Sequence, residues 1–489
     1  MDQNIVNYIN NDDNNGEQIH RVQVGIQQYQ KLNVEQKEVV DKILQASRSD
    51  NYTDSTCFYI DGQGGSGKIF IYTTIYNVLM SENINCSTMA YTGIAATLLP
   101  NGKTVHKTFG LPVPIFNDSS SSIEVQSKEG VHLKNTKVFI WDEAPMAPRY
   151  ALEIISRTLQ YIMKNDLPFG GKIMVLGGDF RQLLPIKING MCIEILNLSL
   201  KNSHLWSHFT IHHLKTNMRV LPQEIEFAKY LLDVGNETLN DQNDNLQLPE
   251  HYILPSNHCI VQNVFDNLIK DKNFSEISQC AILSARNVDV DEMNNKITNL
   301  LDINTERIYT GIDTTENCDN GELEEVLLPE YLNSLNPPNF PPHKLRLRQF
   351  CMVILVRNIS ISEGLCNGTR LQILDFSNHL LKCKILTGDN KRNNIIYLNR
   401  ITLYCENQYP FTFKRRQFPI ILAFAITINK AQGQTLGKVD IDLRRDVFNH
   451  GQLYVAMSRV RSWDSLKIYL GNQRDTSIDK NYVYTELYQ

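Results

Sequence analysis

The sequence predicts an α/β protein with two units built on parallel sheets and a small β-barrel inserted into the second unit. Three observations predict this class. Hydrophobic strands alternate with helical segments and end in polar residues, which is typical of doubly wound parallel sheets. The first of these strands runs directly into a glycine-rich turn at residues 57–68. Between residues 344 and 417, short alternating runs are separated by Gly and Asn turns, as in small barrels.

Composition and charge limit the function classes. The chain has 489 residues, of which 42% are hydrophobic and 21% charged, as in ordinary globular proteins. It contains no run of 18 apolar residues, so we expect neither a membrane span nor secretion. Its ten cysteines form no C-x-x-C pair, which favours reduced thiols in a nuclear or cytoplasmic setting. The net charge of −5 argues against a basic coat but allows a basic groove.

The amino-terminal region predicts a leader followed by a capped helix. Residues 1–28 are rich in Asn, Asp and Gln without apolar periodicity, and we expect them to be disordered. The segment LNVEQKEVVDKIL then has Asn33 as an N-cap and Gln36 three positions later. This pattern predicts a capping box, so a structural role for Gln36 is one alternative.

The glycine-rich turn has the spacing of a phosphate-binding loop, G-x-x-x-x-G-K. Its glycines let the backbone wrap a triphosphate: Gly62, Gly64, Gly65 and Gly67. Lys68 would reach the β and γ phosphates. The next position, which usually carries a Ser or Thr hydroxyl for Mg²⁺, holds Ile69.

Two further strands end in polar residues at the sheet edge where the loop lies. The segment KVFIWDEAPM ends in Asp142 and Glu143, an acidic pair that can hold Mg²⁺ and polarise water. A solvent-facing acidic turn is the alternative. The segment KIMVLGGDFRQLLPI predicts a further strand that ends in a polar cluster containing Asp179, Arg181 and Gln182. The sequence therefore predicts one site along this edge.

The remaining chain contributes weaker signals. His204, His208 and His212 have four-residue spacing, but no glutamate follows the first, so a metal site is the minor alternative. The strand ILAFAITINKAQGQTL opens into a polar, glycine-rich turn, and GQLYVAMSRVRS places Arg459 on a helix. The barrel carries candidate phosphate contacts: Lys344, Arg346, Arg348, Lys414, Arg415 and Arg416.

Taken in order, these motifs resemble those of the PIF-type (petite integration frequency) superfamily-one DNA helicases. The matching segments are LNVEQ, GQGGSGK, TGIAATLL, WDEAPM, GGDFRQLLP, LKTNMR, GLCNGTRL, FAITINKAQGQTL and HGQLYVAMSRVRS. The wording DEAPM and HGQLYVAMSR resembles the helicase portion of Helitron transposons more than the cellular repair enzymes. The resemblance covers residues 30–472, nearly the whole chain.

The resemblance implies two RecA-like P-loop NTPase domains. Domain 1A would span 29–203, with a wedge insertion near 103–130. Domain 2A would span 204–340 and 418–489, and an SH3-like β-barrel, 2B, would span 341–417. The implied activity is ATP- and Mg²⁺-dependent translocation 5′ to 3′ on single-stranded DNA, as a monomer acting at duplex junctions. The implied processes are DNA repair, recombination, telomere maintenance or transposon replication, in the nucleus of a eukaryote or otherwise in the cytoplasm.

The resemblance also assigns residues. Gln36 would read the adenine, Asp142 would bind Mg²⁺, Glu143 would activate water and Gln182 would sense the γ phosphate. Arg219 and Arg459, from the second unit, would be arginine fingers. The nucleotide would be held by Gly62, Gly64, Gly65, Ser66, Gly67, Lys68 and Gly433. DNA would be contacted by Thr92, Gly93, Thr104, His106, Asn358, Thr427, Asn429 and Lys430, although His106 has helix packing as its alternative.

Ile69 is the main departure from that family. We expect Thr73 and Thr74 to lie too far along the helix to replace the lost ligand. A loss of about 3 kcal/mol in transition-state stabilisation would slow turnover by roughly two orders of magnitude. A catalytically impaired nucleotide- and DNA-binding protein from a decaying transposon copy is therefore the second reading. Another P-loop class, such as an RNA-directed ATPase or a small-molecule kinase, is the third.

Overall fold

The computed structural model describes residues 15–49, 56–187, 190–255, 258–316, 328–387, 394–406, 408–471 and 477–488. These form two compact units. The first comprises the residues up to Ala228 together with those from Val483 onward, and the second comprises Lys229–Tyr482. None of the helices in the described ranges is long and apolar enough to cross a membrane.

The first unit is built on a six-stranded parallel sheet in the order β3-β2-β4-β5-β1-β6. Its strands are Cys57–Gly62 (β1), Cys86–Ala90 (β2), Lys103–Thr104 (β3), Val138–Asp142 (β4), Ile173–Gly178 (β5) and Thr210–Leu214 (β6). Strands β4 and β5 are buried along their whole length, as expected for a sheet covered on both faces. All strands point the same way, so their carboxyl ends lie at one edge.

Helices cover this sheet. They are Asn15–Gln30 (α1), Val34–Arg48 (α2), Lys68–Ser81 (α3), Gly93–Thr97 (α4), Val105–Phe109 (α5), Lys128–Asn135 (α6), Arg149–Met163 (α7) and Cys192–Leu198 (α8). Helix α2 has the predicted capping box. The largest fully buried side chain of the chain, Trp141, lies in the core of this unit with Phe109 and Phe139.

The prediction of a disordered leader over 1–28 was wrong where the structure describes this region. Residues 15–30 form α1, which packs against α3. Asn77 of α3 donates to the Gln28 side chain at 2.9 Å, and a Cβ on Gly25 would be in ordinary contact with Val78, at 3.4 Å. Residues 1–14 lie outside the described part of the chain. Polar composition hid this helix because its stabilising contacts are tertiary.

The second unit begins with a second α/β region. Helix α9 (Ile225–Gly235) starts in the last residues of the first unit. The following elements are Asn245–Gln247 (β7), Asn267–Lys270 (α10), Phe274–Ile277 (α11), Cys280–Ser284 (β8) and Asn287–Leu300 (α12).

An antiparallel β insertion follows. It consists of Arg307–Thr310 (β9), Ile312–Glu316 (β10), Pro329–Ser334 (α13), Lys344–Leu347 (β11), Met352–Leu355 (β12), Arg370–Phe376 (β13), Leu380–Ile385 (β14), Ile395–Asn399 (β15), Ile401–Cys405 (β16), Thr412–Gln417 (β17) and Ile420–Leu422 (β18). The sheets are β10-β17-β16, β11-β9 and β15-β14-β13-β12-β18. The β-rich region thus starts near residue 307, earlier than the predicted 341, because β9 and β10 pair with β11 and β17.

The α/β region then resumes with Ala425–Thr427 (β19), Ile428–Ala431 (α14), Lys438–Asp442 (β20), Gln452–Met457 (α15), Leu466–Tyr469 (β21) and Ile478–Lys480 (β22). Strands β19-β8-β20-β21 form a parallel sheet, and β22 pairs with β7. The insertion therefore interrupts a parallel α/β unit between β8 and β19.

The predicted boundary between residues 203 and 204 differs from the structure. Strand β6 pairs with β1 in the first sheet, from Phe58↔Thr210 to Gly62↔Leu214, so residues 204–228 belong to the first unit. Residues 483–488 also belong there, with Leu487 buried in the first core. No local pattern in the sequence predicts either assignment, because both depend on long-range contacts.

Candidate nucleotide and nucleic-acid sites

The phosphate loop joins β1 to α3 and depends on left-handed glycines. Gly65 has φ of 95° and Gly67 has φ of 83°, a region that other residues rarely adopt. A Cβ on Gly65 would lie 2.5 Å from the Arg219 Cβ, so no side chain fits there. The loop is closed by a hydrogen bond from the Ser66 N–H to the Gln63 carbonyl at 3.1 Å. Helix α3 begins at Lys68, directly after this turn.

Lys68 is the last residue of the phosphate-loop motif, and its side chain lies over the loop. Its Nζ donates to the Gly62 carbonyl at 2.5 Å and is 3.4 Å from the Gln63 carbonyl. These neutral acceptors are weaker partners for an ammonium than a phosphate would be. The side chain is therefore placed to exchange them for an anion held by the loop.

Gln36 forms the predicted capping box and also contacts the phosphate loop. Its Oε1 accepts from the Asn33 N–H at 3.1 Å, and the Asn33 side chain accepts from the Gln36 N–H at 2.9 Å, which completes the capping box. Its Nε2 also donates to the Ser66 carbonyl at 3.2 Å. The side chain is only 3% exposed. Helix α2 is thus tied to the phosphate loop through one amide.

The acidic pair lies at the carboxyl end of β4. Asp142 is the last residue of the strand and is 3% exposed. Burial raises the pKa of its carboxyl to about 7, and the Glu143 carboxylate acts in the same direction, against the Lys68 ammonium. Glu143 has a left-handed φ of 53°, a conformation that costs a non-glycine residue roughly 1 kcal/mol or more.

Gln182 follows β5, the strand between β1 and β4. It therefore lies between the phosphate loop and the acidic pair. Its Nε2 is 3.4 Å from Asp179 Oδ2, and Asp179 Oδ1 accepts from the Arg181 backbone at 3.1 Å. The side chain is 4% exposed.

Four buried polar atoms at this end of the sheet have no hydrogen-bond partner within the described structure. They are Ser66 Oγ, Tyr72 Oη, Asp142 Oδ1 and Gln182 Oε1. Buried polar groups in folded proteins are almost always paired, so these oxygens are available to a ligand at this edge of the sheet. Oxygen donors beside a phosphate loop fit Mg²⁺ with a nucleotide. Tyr72 was not predicted as a site residue. The only signal for it in the sequence is its position four residues after Lys68.

The hydroxyls nearest to Ile69 on α3 already donate hydrogen bonds to backbone carbonyls. Thr73 Oγ1 donates to the Ile69 carbonyl at 2.9 Å, and Thr74 Oγ1 donates to the Phe70 carbonyl at 2.7 Å. Both bonds are the usual back-bonding of threonine within a helix. Neither hydroxyl is free in this structure to take the place of a hydroxyl at position 69.

Arg219 lies in a different unit from the one that the sequence predicts. It lies in the first unit, after β6, and not in the second unit. The segment contacts the phosphate loop: the Met218 N–H donates to the Gly65 carbonyl at 2.8 Å, and Asn217 Nδ2 donates to the Gly64 carbonyl at 3.3 Å. Arg219 is therefore adjacent to the loop within the same unit.

Arg459 lies inside the second unit and is 1% exposed. Its guanidinium donates to the Val455 carbonyl at 2.8 Å, the Gln434 carbonyl at 3.3 Å and Ser458 Oγ at 2.6 Å. Gly433, in the turn beside Gln434, has a left-handed φ of 79°. In this structure the guanidinium ties helix α15 to that turn.

The candidate DNA contacts of the first unit lie at helix starts. Thr92 and Thr104 are the N-caps of α4, which begins at Gly93, and of α5; their side chains accept from Ala95 and Lys107. The His106 ring lies 5.2 Å from that of Tyr91, and burial lowers its pKa, so it is neutral at pH 7.

The candidate contacts of the second unit lie in two places. Thr427 is the N-cap residue of α14, which contains Asn429 and Lys430. Asn429 Oδ1 accepts from Gln452 at 3.1 Å, and burial lowers the pKa of Lys430. Asn358 lies in the insertion, where its Oδ1 accepts from the Asn367 N–H at 2.8 Å and so shapes the GLCNGTR turn.

Two of the predicted phosphate contacts in the insertion are buried. Arg415 is 0% exposed and forms a bidentate pair with Asp313, both bonds being 2.7 Å. Arg348 is 2% exposed, pairs with Glu306 and donates to carbonyls at the end of α12. Both arginines hold the insertion together, so they are not phosphate contacts.

The histidine spacing does not form a metal site. His212 lies on strand β6, so the three histidines do not share a helix face. Within the residues that the structure describes, no group of three or more His, Cys, Asp or Glu side chains is arranged to hold a metal ion.

A phosphate loop, an acidic strand end and a glutamine on the strand between them form the arrangement of a P-loop nucleotide-binding protein with a parallel α/β sheet. Comparison with protein families narrows this class. Residues 31–245 match the model of the PIF1-like helicase, and residues 330–376 match that of the DNA helicase Pif1 2B domain. Over these residues the chain is similar to the PIF1-like helicase family.

Curated relatives agree with this assignment. ATP-dependent DNA helicase Pif1 of Psychrobacter sp. (strain PRwf-1) is 26% identical over 470 residues, covering 86% of this chain and 67% of that protein. ATP-dependent DNA helicase PIF1 of Danio rerio is 27% identical over 451 residues, covering 90% of this chain and 61% of that protein. The chain thus spans about two thirds or less of these two relatives.

Solved structures share the fold. The crystal structure of Pif1 helicase from Candida albicans superposes with a TM-score of 0.66 at 22% identity, covering 94% of this chain and 98% of that chain. Bacteroides Pif1 bound to single-stranded DNA gives 0.63 at 23% identity, covering 91% and 93%.

Proposed function

We propose that this chain is an ATP-dependent DNA helicase that moves 5′ to 3′ on single-stranded DNA and couples ATP hydrolysis to duplex unwinding. The observation that carries the proposal is the group of four partnerless buried oxygens beside the phosphate loop. ATP and Mg²⁺ are the ligands that match this chemistry. The names of the curated relatives support DNA as the nucleic acid along which the protein moves.

The residues divide the work at the nucleotide. Mg²⁺, when bound, would supply neutralisation of the phosphate charge. Asp142 would hold it, which favours the ionised form of a carboxyl whose pKa is near neutral without ligand. Lys68 would leave the Gly62 carbonyl for the phosphates, and Glu143 would accept the proton of the attacking water. Gln182 would align that water beside the γ phosphate.

The arginines and DNA contacts are part of the same proposal. Arg219 would stabilise transition-state charge from beside Gly65. Arg459 would have to exchange the carbonyls of its own unit for a phosphate before it acted as an arginine finger. Thr92, Thr104 and Asn429 would contact the DNA backbone, which predicts strong salt dependence and little sequence preference.

The finer assignments rest on the sequence. The motifs WDEAPM and HGQLYVAMSR support the Helitron branch, and hence transposon replication. Repair, recombination and telomere maintenance are the alternatives from the cellular branch. We propose a monomer acting at single-strand to duplex junctions, with domains 1A, 2A and the barrel 2B as the moving parts.

One observation favours a second candidate, a catalytically impaired protein that binds nucleotide and DNA. Ile69 offers no hydroxyl, and the Thr73 and Thr74 hydroxyls are bonded within α3. Unwinding of a 5′-tailed duplex, with a 3′-tailed duplex as control, separates the candidates. A helicase unwinds the first substrate only, and Glu143→Gln abolishes unwinding. DNA and nucleotide binding without unwinding of either substrate would support the impaired protein.

A further inference from the structure

Position 69 carries no hydroxyl, but other oxygens lie on the same side of the nucleotide site. Tyr72 lies on α3, four residues after Lys68 and therefore one turn further along the same face. Its side chain is fully buried. A tyrosine at this depth normally pairs its hydroxyl, because an unpaired buried hydroxyl costs about 1–3 kcal/mol.

The position of the Tyr72 hydroxyl is fixed by a glycine on the neighbouring strand. A Cβ on Gly177 would overlap the Tyr72 hydroxyl oxygen. Gly177 is the second-last residue of β5, so the hydroxyl lies at the carboxyl end of the sheet, where the site is. The strand thus leaves room for this oxygen at that edge.

The hydroxyl also lies close to the proposed metal ligand. Strands β4 and β5 pair in parallel up to Trp141↔Leu176, so the next residues, Asp142 and Gly177, lie side by side, and the Tyr72 hydroxyl lies against Gly177. Yet neither Tyr72 Oη nor Asp142 Oδ1 has a hydrogen-bond partner among the described residues. A phenol hydroxyl and a carboxylate at the same strand end can form a short hydrogen bond, because the hydroxyl donates and the charged oxygen accepts.

We infer that Tyr72 is a positioning residue for Asp142. In the nucleotide-bound state its O–H donates to Asp142 Oδ1, which orients the carboxylate toward Mg²⁺ and offsets the hydroxyl missing at Ile69. This inference rests on the proposed function, because it concerns the same site. Hydrogen-bond partners of metal ligands typically change metal affinity by about 10- to 100-fold when removed.

A second tyrosine on the same helix supplies a matched control. Tyr76 is also buried, but its hydroxyl accepts from Asn101 Nδ2 at 2.7 Å, away from the phosphate loop. Tyr72→Phe and Tyr76→Phe remove the same atom from the same helix. Only the first removes an oxygen that faces Asp142, and since that oxygen has no partner its loss should not prevent folding.

The test measures Mg²⁺-dependent binding of a fluorescent ADP analogue, and does not require turnover. For Tyr72→Phe, the Mg²⁺ concentration at half-maximal enhancement of binding is expected to rise about 10- to 100-fold. Affinity in EDTA should stay unchanged, and Tyr76→Phe should behave like the native chain. Adding Ile69→Thr to Tyr72→Phe should restore the native Mg²⁺ requirement.

Three results would overturn the inference. Equal Mg²⁺ requirements for the two Phe variants would make Tyr72 a packing residue. A loss of affinity in EDTA would indicate distortion of the whole loop. If the native chain binds the analogue equally with and without Mg²⁺, Asp142 does not hold the metal. Failure of the native chain to bind the analogue at all would instead remove the proposed function and the inference together.

Discussion

Replacing Asp142 by Asn is expected to change how the stability of the nucleotide-free chain depends on pH. The pKa of the Asp142 carboxyl is raised from 3.8 to about 7, first by burial and then by Glu143. The folded chain therefore binds this proton more tightly than the unfolded chain. Stability is highest below about pH 4, falls as the pH rises toward 7, and levels off above it. The full difference is roughly 4 kcal/mol.

Urea unfolding followed by tryptophan fluorescence measures this effect. The chain has three tryptophans, and Trp463→Phe leaves Trp141 and Trp206 as reporters of the first unit. Between pH 4.5 and 8, the free energy of unfolding should fall by about 3 kcal/mol more with Asp142 than with Asn at that position. Titrating groups far from Asp142 cancel in the comparison, whereas Glu143 titrates together with Asp142, so the difference belongs to the pair. Parallel pH profiles would refute the proposed burial of an ionisable carboxyl.

Three further predictions concern neighbouring contacts. Gln36→Ala should lower the free energy of unfolding by about 1–2 kcal/mol, measured by urea titration. Gln36→Glu keeps the capping box and should weaken ADP binding, because the bond to Ser66 is lost. If Gln36→Glu changed stability as much as it changed ADP binding, the separate roles of the two side-chain atoms would be contradicted. Gly177→Ala should cost about 1–3 kcal/mol in the same assay and should be partly rescued by Tyr72→Phe, so additive effects would place the hydroxyl elsewhere. Single-stranded DNA affinity should fall linearly with salt on logarithmic axes, and salt-independent binding would contradict backbone contacts.

Local signals account for what the sequence predicted well. Asn33 and Gln36 define a capping box within one turn, and Asp142 ends a strand whose hydrophobic run is visible by itself. The glycines of the phosphate loop are required by backbone conformation, which depends mainly on neighbours along the chain. These features need no knowledge of distant residues.

The features that the sequence did not predict depend on long-range contacts. Arg219 was placed in the wrong unit because its strand, β6, joins the first sheet only through pairing with β1. Helix α1 lacks an obvious apolar stripe and is held by α3. Tyr72 reads as an ordinary aromatic residue of a buried helix, and only the approach of Gly177 and Asp142 shows what its hydroxyl faces.

The most direct test of the central claim is Mg²⁺-dependent ATP hydrolysis by the purified chain, measured with and without single-stranded DNA. The account predicts turnover that DNA stimulates, that Glu143→Gln abolishes and that Ile69→Thr preserves or increases. Activity of Ile69→Thr alone would identify the native chain as the impaired nucleotide- and DNA-binding protein. Absence of hydrolysis in both the native chain and Ile69→Thr would contradict the assignment of an ATPase site to this loop.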